Sequence, residues 1–129
     1  MDFSLNAPRA GGSIRTVFVA GLVLDAEIGC YESERGRKQP VRIDIAVDVR
    51  TPDDPLSDRF EDAMCYHKLT EAVRGLVEEG HVDLVETLAE KIARLAAGHP
   101  MALAARVRVA KPEAIEEADA VGVEIRIEN

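Results

Sequence analysis

Nine residues constrain this chain more than any others. In VRIDIAVDV, residues 41–49, Val41, Ile43, Ile45, Val47 and Val49 fall on one side of a two-residue period, and Arg42, Asp44, Ala46 and Asp48 fall on the other. Successive side chains point to opposite faces only in an extended strand, so the pattern predicts a strand with one buried face. Such a strand cannot stand alone. Its apolar face needs a second layer, and its backbone N–H and C=O groups need neighbouring strands.

The flanking sequence offers both. Upstream, IRTVFVAGLVLDAEI (14–28) is rich in β-branched and apolar residues and predicts a strand interrupted near Gly21. The loop CYESERGRKQP joins it to the first strand, which suggests a long antiparallel hairpin. Downstream, TPDDPLSDRFED has the prolines and aspartates of a turn-rich break. Two helices follow. Leu69, Ala72, Val73, Leu76 and Val77 keep helical spacing, with Gly80 as a stop. Leu84, Leu88, Ile92 and Leu95 make a second stripe, ended by Gly98 and Pro100. Asp83, three residues before Glu86, predicts a capping box at the start of that helix, with Asp in place of Ser or Thr. ALAARVRVAKP and AVGVEIRIEN then return to strand patterns.

The order is ββααββ. It predicts an α+β domain over residues 14–129, an antiparallel four-stranded sheet with both helices on one face. Residues 1–13, ending in Gly11-Gly12-Ser13, read as a loose tail. Open strand edges at either side of the sheet would need shielding or pairing with another chain, which points to a homo-oligomer.

Composition narrows the function. Hydrophobic residues make up 47% and charged residues 31%, a soluble globular balance, and the formal net charge is −8. That charge repels phosphate backbones and anionic lipid, so neither nucleic acid nor membrane is the expected partner. The basic run Arg35-Gly36-Arg37-Lys38 sits among Glu32 and Glu34 and reads as a solvated loop. Cys30 and Cys65 are not in metal-ligand spacing with the scattered His67, His81 and His99, so no metal is expected. With no signal-like or membrane-length segment, free thiols in the cytoplasm are the default.

Four side chains are candidates for chemistry. Glu86, in the first helical turn and off the apolar stripe, is either a capping acid or a carboxylate held ionised by the helix dipole to receive paired N–H donors. Lys111, before Pro112, is either a surface lysine at a strand end or an acid/base or Schiff-base amine, which requires a lowered pKa. Tyr66 is either a partly buried phenol or a proton donor. Glu34 is either a solvated acid or part of a site.

Taken together, IGCYESERGRKQPVRIDIAVDV (28–49), DAMCYHKL (62–69), LVETLAEKIA (84–93), VRVAKPEA (107–114) and AVGVEI (120–125) resemble the dihydroneopterin aldolase family, in order and at matching spacing. The resemblance implies the tunnelling fold, in which strands join across subunits into a barrel, four subunits form a ring and two rings an octamer. It implies retro-aldol cleavage of a pterin side chain without cofactor, at sites between subunits. It assigns Glu86 as the pterin anchor, with backbone around Met64 and Val85 lining the pocket. Lys111 becomes the general base or acid through a water, with a pKa lowered by partial burial or a cationic neighbour. Tyr66, from the adjacent subunit, protonates the intermediate, and Glu34 lies near the hydroxyl tail. Two alternatives stand beside it: dihydroneopterin triphosphate epimerase, which shares the fold and the glutamate but tends to lack the Lys-Pro pair seen at Lys111-Pro112, and a non-catalytic pterin-binding assembly protein.

Overall fold

The computed structural model describes residues 13–129. The tail expected over residues 1–13 lies outside the described residues except for Ser13. That residue is tied down: its Oγ is 2.7 Å from Thr51 Oγ1, and its carbonyl accepts from the Thr51 N–H. The chain runs β1 (Ile14–Ala26), β2 (Gln39–Arg50), α1 (Tyr66–Val77), α2 (Val85–Ala97), β3 (Ala102–Lys111) and β4 (Val121–Glu128). The four strands form one sheet in sequence order, every neighbouring pair antiparallel. This is the ββααββ α+β architecture expected, with β1 and β4 at the edges.

The alternation that predicts β2 is realised residue by residue. Val41, Ile43, Ile45, Val47 and Val49 are buried, together with Val107 and Val109 of β3. Burying each such side chain contributes roughly 1.5–3 kcal/mol, so this stripe supplies much of the drive to fold. The helices cover it: α2 packs on β2, β3 and β4, and α1 packs on β1 and α2.

Gly21 explains the interruption in β1. Val19 pairs with Ile45 but Leu22 pairs with Ile43, so β1 has one extra residue in a bulge. Gly21 takes φ +66°, and its N–H donates to Asp44 Oδ1 at 2.8 Å. The extra residue resets the side-chain parity. Val17 and Val19 face the core before it, and Leu22, Leu24 and Ala26 after it.

Two helix expectations need correction. The buried face of α2 is Leu88, Ala89, Ile92, Ala93, Ala96 and Ala97, while Leu84 and Leu95 are exposed. Small alanines let α2 lie close to the sheet, which rotates the buried face away from the leucine stripe. The capping box at Asp83 and Glu86 is also absent. The N-cap is Leu84, one residue later, and no side chain caps it. Asp83 instead pairs with Arg35 at 3.0 Å and His81 at 3.3 Å. In α1, Leu69, Val73 and Val77 are buried as the spacing requires, Leu76 is partly buried and Ala72 is exposed. Cys65 caps that helix, its Sγ accepting from the Lys68 N–H.

Candidate active site

Two buried stripes of the sheet end in polar residues at the same end. The core face of β2, traced back from Val41, begins at Gln39, and that of β3, traced on from Val109, ends at Lys111. The register Arg42 to Ala110 places these ends side by side. A polar group on a buried face must find a partner or lose stability. Both find Glu34. Lys111 Nζ donates to Glu34 Oε2 at 2.7 Å, and Gln39 Nε2 donates to the same oxygen at 2.8 Å.

Glu34 belongs to a single 3₁₀ turn, Glu32–Glu34, inside the loop between β1 and β2. Its carboxylate folds back to the Tyr31 N–H, at 3.4 Å from Oε1. The box geometry expected at α2 therefore occurs here. The residue is only 7% exposed, so the solvated reading of Glu34 is wrong.

The loop is stapled to the approach of α2. Gly29 N–H donates to Val82 O at 3.0 Å, Val82 N–H donates to Glu27 O at 3.1 Å, and His81 Nε2 lies 2.9 Å from Gly29 O. Arg35 reaches Asp83, and Arg37 Nε donates to Ser33 O at 3.0 Å. The basic run is thus partly structural rather than simply solvated.

Gly29 is where this packing is tightest. Its φ is +134°, and a Cβ built there would lie 2.2 Å from Glu34 Cδ. Gly29→Ala is expected to cost about 2–4 kcal/mol through backbone strain and overlap. Urea unfolding measures it, and a loss below about 1 kcal/mol would contradict this account of the loop.

The hydrogen bond from Lys111 holds the Glu34 carboxyl below its ordinary value of 4.5; burial opposes it, and the Gln39 amide and Tyr31 N–H add to it. A carboxyl lowered in the folded state stabilises fully above its unfolded value and loses that contribution as pH falls through the folded value. Wild type should therefore lose more stability than Glu34→Gln between about pH 6 and pH 3. Parallel losses in urea titrations would contradict it.

Lys111 has the partial burial expected of it, but the neighbour is an anion rather than a cation. The other candidates stand apart from this pair. Glu86 occupies the first turn of α2, exposed, and accepts no hydrogen bond among the described residues. It lines an open groove with Thr87, Glu90, Lys91, Arg94 and Ile125. Val85, partly buried, is the first residue of α2. Tyr66 is 65% exposed at the start of α1. Met64 is buried beneath the groove between the helices, near Leu95 and His99. Tyr66 and Met64 lie where β2 has ended and the chain turns into α1. The twelve residues of α1, about 18 Å of helix, separate them from the end that returns to Val82. A single chain therefore brings Glu34 and Lys111 together and sets Tyr66 a helix length away.

The residue missed in the sequence is Gln39. Extending the β2 alternation back by two positions lands on it, a polar side chain on the apolar face, just before Pro40.

A four-stranded antiparallel sheet carrying two helices, with a largely buried ammonium–carboxylate pair at one sheet end, is the α+β architecture that the resemblance implied. The family model of dihydroneopterin aldolase matches residues 17–126, and this chain belongs to that family. The dihydroneopterin triphosphate 2'-epimerase of Pseudomonas aeruginosa is 30% identical over 90% of this chain and 94% of its own. The dihydroneopterin aldolase of Escherichia coli is 31% identical over 83% and 88%. A crystal structure of E. coli dihydroneopterin aldolase in complex with neopterin superposes with a TM-score of 0.82 at 30% identity, covering 88% of this chain and 98% of that one. A Burkholderia dihydroneopterin aldolase bound to guanine gives a TM-score of 0.80 at 28% identity, covering 90% and 92%.

Proposed function

We propose that this protein is a dihydroneopterin aldolase, cleaving 7,8-dihydroneopterin into 6-hydroxymethyl-7,8-dihydropterin and glycolaldehyde on the way to folate. The observation that carries the reading is the buried Lys111–Glu34 contact within a chain of this family. Retro-aldol cleavage needs a base for one side-chain hydroxyl and an acceptor for the electron pair of the breaking C–C bond. The C=N bond of the dihydropterin ring, next to the side chain, accepts that pair and becomes an enamine. The deprotonated hydroxyl carbon leaves as the aldehyde, and a proton returned to the remaining carbon completes the hydroxymethyl product. The protein need only bind, orient and move protons.

Lys111 suits the proton transfers. As the neutral amine, with one N–H on Glu34 Oε2, it has a lone pair to take the hydroxyl proton directly or through a water, and as the ammonium so formed it gives a proton back. Glu86 suits the pterin edge. Neopterin and guanine, bound in the two related structures, share an amino group beside a ring N–H. A carboxylate matches such a pair with two parallel hydrogen bonds, and its place in the first turn of α2 favours the charge. Val85 and Met64 would contribute backbone to that pocket.

Tyr66 is the proposed proton donor to the intermediate, and its distance from Lys111 supports a donor from the adjacent subunit. The exposed edges of β1 and β4 would carry the pairing that closes a tetrameric ring, two rings giving an octamer. In this reading the partners are the pterin and other copies of the chain, and the location is the cytoplasm. No helix among the described residues is long and apolar enough to cross a membrane.

The test is release of glycolaldehyde from dihydroneopterin under reducing conditions; its absence would overturn the reading. Subunit sharing has its own test. Tyr66→Phe and Lys111→Ala, each inactive, should regain activity when unfolded and refolded together, because mixed rings rebuild some intact sites. No recovery would argue for sites within one subunit. The epimerase reading is favoured by the Pseudomonas relative, and preference for the triphosphate over the free pterin would select it.

A further inference from the structure

Gln39 is the most enclosed polar side chain of the described residues, 3% exposed, and the mechanism above gives it no part. Both amide hydrogens are committed. Nε2 donates to Ile28 O and to Glu34 Oε2, each at 2.8 Å. We infer that Gln39 is a positioning residue, which locks the Glu34 carboxylate so that one chosen oxygen, Oε2, holds the Lys111 ammonium. The inference rests on the aldolase reading for its kinetic consequence and on geometry alone for its structural one.

The carboxylate is held asymmetrically. Oε2 receives two short hydrogen bonds, from Gln39 and Lys111, while Oε1 has only the Tyr31 N–H at 3.4 Å. A carboxylate can turn about its terminal torsion at little cost unless something fixes it. Gln39 fixes it from one side, and the backbone of Gly29 leaves no room behind it. The amide is itself fixed. It sits on the buried face of β2, and Pro40 restricts the residue before it to an extended conformation. Its second hydrogen bond anchors it to the Ile28 carbonyl, beside the parallel bridge between Ile28 and Val82.

A neutral donor is the right chemistry for the position. A cation there would compete with Lys111 for the carboxylate. A second acid would share a proton with Glu34 and weaken its hold on the ammonium. An amide stabilises the anion and adds no charge. The other polar and charged side chains of this region are engaged elsewhere or face solvent. Arg35 and His81 are on Asp83, Arg37 is on Ser33 O, and Glu32 and Lys38 are exposed. The ion pair with Lys111 is therefore the contact that Gln39 can tune.

The experiment uses the full chain as assembled, with Gln39→Met, which keeps the length and removes both donors. We expect kcat to fall about 10–100-fold with KM within about threefold, since the pterin anchor is elsewhere. The acid limb of the pH profile should move to higher pH. A carbon-13 titration of the Glu34 side chain, assigned against Glu34→Gln, should show its pKa rising, and this needs no turnover. If Gln39→Met does not fold, Gln39→Asn decides by the same measurements. It is one methylene too short to reach both acceptors, and about a tenfold loss of kcat with the same pH shift is expected. Unchanged kcat, or a loss with the Glu34 titration unmoved, overturns the inference. Inactive wild type with the Glu34 titration shifted would overturn the aldolase reading and leave the positioning role standing.

Discussion

Lys111→Ala is expected to lower turnover by about 10²–10⁴-fold, the usual contribution of a positioned acid or base, while pterin affinity stays within roughly threefold. The physical reason is the isolation of the ammonium. Lys111 alone places an amine against Glu34 at the sheet end, and no other lysine or arginine among the described residues pairs with that carboxylate. The same substitution has a second effect. It leaves the Glu34 charge buried with only neutral donors, which costs about 3–5 kcal/mol of stability. The two effects can be separated. In the double variant Lys111→Ala with Glu34→Gln, the buried carboxylate is gone, so stability in urea should largely return while turnover does not. Turnover that recovers along with stability would show Lys111 to be structural. So would an affinity for the hydroxymethyl product that falls as far as kcat.

Glu86→Ala is expected to do the reverse. Loss of a paired acceptor for two N–H donors should weaken pterin binding by about 3 kcal/mol, more than a hundredfold. At saturating substrate kcat should change far less. The fold should hardly notice. Glu86 accepts no hydrogen bond among the described residues and caps nothing, so only its attraction to the helix dipole is lost, about 0.3–1 kcal/mol. Glu86→Gln should fall between, because an amide keeps one acceptor and adds a donor facing a donor. Fluorescence titration with the reaction product measures the affinity. Unchanged binding in Glu86→Ala would remove the residue from the pterin site.

Much of the architecture is legible in the sequence, and particular residues show why. The two-residue period of Val41 to Val49 is a local consequence of pleating, so β2 can be read directly. Gly21 marks the bulge because a left-handed φ suits glycine. The leucine stripe of α2 misleads, since counting leucines ignores the alanines that let a helix approach a sheet. The capping box misleads for a related reason. Asp83 has better partners in Arg35 and His81, the first of them carried by a loop 48 residues earlier in the chain.

The site divides in the same way. Lys111, Glu86 and Tyr66 are proposed on the resemblance of the segments around them. Glu34 reads as one acid among several in a charged loop, and nothing local singles out Gln39. Strands, helices and their order follow from periodicity within a few neighbouring residues, and the family from the resemblance of short segments along the chain, so the sequence alone carries them. Tertiary structure alone buries Glu34, brings it to Lys111 across 77 residues, and sets Gln39 to select the oxygen. Burial and ion pairing depend on which distant segments meet, and the fields that tune a carboxylate act through space rather than along the chain.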